Sequence, residues 1–155
     1  MKTTWILVAD EAIARILERP RKAGGDLVPV EELTDPDAHA REGEMHNGPH
    51  GRRAGAGGGG NPQATVSAGD SERHQHAKLF AARIAQRLVE LKREQRYDDL
   101  HVVAAPRLLG YLRQAFHSEV ANAIVDTLDK DLIHESNADL ARRLFPAKSA
   151  TSANH

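Results

Sequence analysis

The sequence predicts an α/β domain: a mixed five-stranded sheet with an antiparallel amino-terminal meander and flanking helices. Two buried-strand signatures and a change of period carry that prediction. Trp5-Ile6-Leu7-Val8-Ala9 is an unbroken run of apolar side chains closed by Asp10, and Leu100-His101-Val102-Val103-Ala104-Ala105 is a second such run. Runs of this kind are buried on both faces, as the central strands of an α/β sheet are. Elsewhere apolar residues recur at three- and four-residue spacing, the period of helices.

A chain of 155 residues, 40% hydrophobic and 28% charged, suffices for one domain with a real core. Residues 1–146 are read as that domain and 147–155, small and polar, as a disordered tail. A net charge of -1 gives no global attraction to nucleic acid or membrane, so any such binding must come from a local patch. With 0 Cys the chain has no disulfide, no thiolate nucleophile and no cysteine metal site. The apolar run before Asp10 is too short for a signal peptide or a membrane span, so a cytoplasmic location without membrane contact is expected.

Taken in order, the first strand is followed by Glu11-Ala12-Ile13-Ala14-Arg15-Ile16-Leu17, where local propensity favours helix. Alternation favours a strand, with Ala12, Ala14 and Ile16 on one face and Ile13, Arg15 and Leu17 on the other, and Asp10-Glu11 as the turn. The hairpin is preferred, because Pro20 and the Lys22-Ala23-Gly24-Gly25-Asp26 turn leave room for barely two helical turns. Leu27-Val28-Pro29-Val30-Glu31-Glu32-Leu33 is a third strand, placed at an edge by its proline. Residues 34–69 hold Asp-Pro, Gly-Pro, Arg52-Arg53 and Gly57 to Gly60, and are expected to form a mobile surface loop. Asp70-Ser71-Glu72 is a helix-start signature. From it Ala77, Phe80, Ala81, Ile84, Leu88 and Leu91 mark one long amphipathic helix ending near Tyr97-Asp98-Asp99. The second buried strand leads through Pro106, a favoured first helical residue, into a helix carrying Leu108, Leu109, Leu112 and Phe116. Residues 123–128 read as a fifth strand or as the continuation of a helix from Ser118. Ser136 and Asp139 have capping spacing ahead of Leu140, Leu144 and Phe145, and Pro146 stops that helix. A three-stranded meander followed by alternating helices and strands is the order expected of a ribonuclease-H-like sheet.

Asp10 ends a central strand, where open α/β sheets bind ligands. A metal-dependent nuclease needs several carboxylates converging there, and the neighbouring strand ends in Ala104-Ala105-Pro106 with no acid. Asp10 is therefore a turn former before it is a catalytic or metal-binding residue. Nine histidines tempt a zinc reading. Asn47, Gly48 and Pro49 keep His46 and His50 off one helix face, while His74 and His76 point in different directions, so no metal site and no cofactor is expected. Arg107 stands at a helix start, where free N–H groups and a guanidinium can hold an anion together. Arg113 follows two turns later, and Gly110 between them permits close approach of another backbone. Surface arginines on a helix packed through its leucines are the plainer reading. Arg83, Arg87, Arg93 and Arg96, interspersed with Glu90 and Glu94, read as a solvated polar face. Arg52 and Arg53, beside the glycine tract, are candidates for RNA contact.

Three stretches together resemble the bacterial "host attachment protein" family, described as required for attachment to host cells. They are Trp5-Ile6-Leu7-Val8-Ala9-Asp10 with Ala12-x-Ala14-Arg15-Ile16, the block from Tyr97-Asp98 through Ala105-Pro106-Arg107-x-Leu109-Gly110-x-Leu112-Arg113, and Asp129-Lys130-Asp131-Leu132. That family in turn looks like the middle domain of archaeal and eukaryotic peptide-chain release factors and of Pelota, which implies a ribonuclease-H-like fold. Release factors carry a Gly-Gly-Gln tip before a long helix. Here Gly57-Gly58-Gly59-Gly60-Asn61-Pro62-Gln63 occupies the comparable place, with two residues between the last glycine and Gln63. The resemblance implies the fold and an RNA or ribosome connection without catalysis. The arginines read above, Arg52, Arg53, Arg107 and Arg113, are the residues expected to make that contact in a non-enzymatic cytoplasmic binding module. Its alternatives are a peptidyl-tRNA or RNA hydrolase using Gln63 or Asp10, and an adhesion factor.

Overall fold

The computed structural model describes residues 2–22, 24–35 and 62–146, with the side chains of 62–70 outside that description. Five strands form one sheet in the order β3-β2-β1-β4-β5. They are β1 (Thr4–Ala9), β2 (Ile13–Glu18), β3 (Val28–Thr34), β4 (Asp99–Ala104) and β5 (Ile124–Leu128). β1 pairs antiparallel with β2 and β2 with β3, while β1 to β4 and β4 to β5 are parallel. The fold is the expected α/β mixed sheet, and its strand order is compatible with the ribonuclease-H-like arrangement. Four helices are present among the described residues: α1 (Pro62–Arg93), α2 (Pro106–Ala115), α3 (Ser118–Ala121) and α4 (Asn137–Leu144).

The period of two along each strand sorts the core into two layers. Trp5, Leu7, Ala9, Ala14, Ile16, Leu100, Val102 and Ala104 face α1 and α2, meeting Phe80, Ile84, Leu88, Leu108 and Leu112. Ile6, Val8, Leu17 and Val103 face the other way, onto Leu132, Ile133 and Leu140. β2 forms as a strand despite its helix propensity because burying Ala14, Ile16 and Leu17 against β1 outweighs a few tenths of a kilocalorie per residue of backbone preference. β3 holds the expected edge position, with Pro29 opposite Leu17 and a register shift beside that pair. The segment at 123–128 takes the strand reading and not the helical one, since the helix from Ser118, α3, ends at Ala121 and β5 begins at Ile124. Ser136 caps α4 as expected, its hydroxyl accepting from the Asp139 N–H at 3.0 Å.

The long helix differs from expectation at both ends. Helical backbone begins at Pro62, not at Asp70, so Asp70-Ser71-Glu72 lies inside α1. Proline fits the first turn of a helix because the N–H it lacks has no partner there. At the other end α1 stops at Arg93, short of Tyr97. Gln95 takes φ 61°, its N–H donates to the Lys92 carbonyl at 2.9 Å, and the Arg96 N–H donates to that of Leu91 at 3.0 Å. This is a Schellman stop with glutamine where glycine is usual. Gln95→Gly relieves the Cβ clash of the left-handed conformation and is expected to stabilise the fold by about 1 kcal/mol, raising Tm by about 2–4 °C. Thermal unfolding followed by circular dichroism checks it, and an unchanged Tm would count against a strained stop.

Among the described residues no helix is long and apolar enough to cross a membrane.

Candidate functional site

Since β1, β4 and β5 run parallel, their carboxyl ends share one edge of the sheet. At that edge the chain leaves β1 toward β2 and leaves β4 through α2 toward β5, so the connections diverge between them. Open α/β sheets bind ligands at such a switch point. Asp10 closes the β1–β2 turn there, its Oδ1 accepting from the N–H groups of Ala12 and Ile13, both at 2.8 Å. One carboxylate oxygen is thus committed to the turn. Next to Asp10, Glu11 faces the Arg107 guanidinium at 3.8 Å, and both side chains are more than a third exposed. Among the described residues no three His, Asp or Glu side chains gather as metal ligands would.

Pro106 occupies the first turn of α2, and Ala105 before it offers no side-chain cap, so the N–H groups of that turn are left to other partners. Leu108, Leu109 and Leu112 pack inward. At 100° per residue Arg107, Gly110 and Gln114 then form the outward crest. Arg113 leans to one flank, where Nη2 donates to the Thr127 hydroxyl of β5 at 3.3 Å. Tyr111 leans to the other, its hydroxyl 2.8 Å from His74 Nδ1 on α1. Lys78 lies one turn beyond His74, with Nζ 5.9 Å from the Tyr111 ring centre. Arg107 and Arg113 therefore share one helix surface and flank Gly110, although they do not converge on a single point.

The remaining sequence candidates fall elsewhere. Arg52, Arg53, His46, His50 and the Gly57 to Gly60 tract lie outside the described residues. Gln63, expected in a loop, falls in the first turn of α1 with its side chain outside the description, because the helix already begins at Pro62. His74 and His76 do diverge: His74 meets Tyr111, and His76 lines a shallow depression with Asp35, Leu79 and Arg83. The arginines of α1, expected as a solvated face, are exposed or half-exposed and also reach across to neighbouring elements. Arg87 forks onto Glu31 of β3 at 2.6 and 2.9 Å, and its hydrogen bonds hold the Glu31 carboxyl below the usual range. Arg93 forks onto Glu119 of α3, and Arg83 donates to the Thr34 carbonyl. Lys78 and Tyr111 were not singled out in the sequence. The signal for them is spacing, since Arg107 and Tyr111, like His74 and Lys78, stand four residues apart on their helices.

No curated protein matches the chain. The family model for proteins required for attachment to host cells matches residues 5–144, from the second residue of β1 to the last of α4, and the chain belongs to that family.

Proposed function

We propose that this protein is a cytoplasmic, non-enzymatic binding module that associates with RNA, free or within the ribosome, through the outward face of α2. One observation carries the reading: α2 presents Arg107 and Arg113 on a helix without an acidic residue, its uncapped start at the switch point of the sheet. Guanidinium groups and free N–H groups at a helix start both favour phosphate oxygens. The Glu11 carboxylate opposite Arg107 is solvated, so an incoming phosphate displaces it at small cost. Arg52 and Arg53 in the glycine-rich segment, and the resemblance of the family to release-factor and Pelota middle domains, support the same partner.

The test is equilibrium binding of the full chain to labelled RNA and to ribosomes across a salt series. Affinity is expected to fall linearly with salt on logarithmic axes, and Arg107→Ala and Arg113→Ala are each expected to reduce the slope by about one. Absence of binding to every RNA and to ribosomes at low salt would overturn the proposal.

A further inference from the structure

We infer that the seam between α1 and α2 is a site for unpaired, single-stranded RNA, whose strand crosses α2 over Gly110 with a base against Tyr111 and phosphates against Arg107 and Lys78. The inference deepens the RNA-binding reading of α2 and rests on it.

Gly110 is the first observation. It lies inside a helix without a positive φ, and a Cβ built there meets nothing within 4 Å. Neither backbone conformation nor internal packing asks for glycine, and a glycine in a helix interior costs about 1 kcal/mol relative to alanine. What the bare backbone offers is close approach from outside. The point of approach lies on the crest of α2, between Arg107 and Arg113 in sequence.

Tyr111 is the second. Part of its ring packs on the core, while its hydroxyl is tied to His74, the two rings 6.2 Å apart at 71°. A ring fixed in this way loses little side-chain freedom when a base stacks on it. Where the hydroxyl donates to Nδ1, the His74 Nε2–H is left as an outward donor. Exposed Lys78 beside the ring supplies a cation. An aromatic platform beside cations is the arrangement that binds single strands without reading sequence. A duplex keeps its base faces stacked within the helix and cannot use the ring, so the site distinguishes single strands from duplex.

The experiment measures fluorescence anisotropy of labelled oligouridylate, alone and annealed to oligoadenylate, with the full chain and its variants. The single strand is expected to bind more tightly than the duplex. Tyr111→Ala is expected to weaken single-strand binding by about 5- to 100-fold, and Tyr111→Phe to keep most of the affinity. Gly110→Gln is expected to raise thermal stability while weakening binding, which separates obstruction of the crest from damage to the fold. Equal affinity for strand and duplex, unchanged by Tyr111→Ala and Gly110→Gln while Arg107→Ala still weakens both, overturns the site and leaves the RNA-binding reading standing. No binding of either RNA at low salt overturns both.

Discussion

Trp5→Ala is expected to lower the unfolding free energy by about 3–5 kcal/mol, the range for emptying a large aromatic site in a packed core. Trp5 is 1% exposed, the bulkiest fully buried side chain, and stands where β1, the α1–β4 connection and the end of β2 meet. Its ring stacks on Tyr97 with centroids 4.8 Å apart, its indole N–H donates to Glu18 at 2.9 Å, and the Arg96 guanidinium lies 5.6 Å from its centre. Alanine removes the stacking surface of Tyr97, whose hydroxyl donates to the Leu88 carbonyl at 2.8 Å and so ties the connection back to α1. Against a typical total of about 5–15 kcal/mol the loss leaves little margin. The urea midpoint should fall steeply with an unchanged slope. Trp5→Phe should keep a ring against Tyr97 and lose less, while Tyr97→Phe, which removes one hydrogen bond, should cost about 1 kcal/mol. A loss below about 1 kcal/mol for Trp5→Ala would mean that the stack is dispensable.

The central strands were legible because burial on both faces leaves no polar position in Trp5-Ile6-Leu7-Val8-Ala9 to hide the pattern. β2 was legible only through alternation, since Ala12, Ala14 and Arg15 taken singly all favour helix. The ends of α1 were not legible. Asp70-Ser71-Glu72 has the side chains of a helix start whether or not the helix already exists, and Gln95 is not a residue that announces a left-handed stop. The same limit governs the site. Pro106 marks a helix start, so Arg107 and its outward neighbours followed from one segment. Tyr111 and His74 stand 37 residues apart, and Arg87 and Glu31 56 apart. Their meetings depend on how α1 packs, which no local spacing encodes.

Arg15→Ala is expected to release the carboxyl-terminal segment while the rest of the sheet stays folded. Arg15 is the only cation on β2 and points away from α1, where Nη1 donates to the carbonyls of Ile133 at 3.0 Å and Glu135 at 3.2 Å, and Nη2 donates to the Asn137 side chain. One guanidinium thus fixes three groups leading into α4, from more than a hundred residues away in sequence. Hydrogen bonds from a charged donor contribute about 1.5–3 kcal/mol each, and they are shared here across one side chain, so a local loss of about 2–4 kcal/mol is expected. The apolar contacts of Leu132, Ile133 and Leu140 with Ile6, Val8 and Val103 then carry the segment alone. Hydrogen exchange resolves the effect. The Leu140 N–H, bonded to the Ser136 carbonyl at 2.9 Å, should exchange faster by about 30- to 1000-fold, while amides of β1 and β4 keep their protection. Arg15→Lys should restore only part of it, because an ammonium lacks the planar fork that reaches several acceptors at once. Unchanged exchange at Leu140 would sink the idea. Since α2 covers the opposite face of the sheet, the RNA binding proposed for α2 is expected to be unaffected by Arg15→Ala, which separates the integrity of this layer from the chemistry of the other.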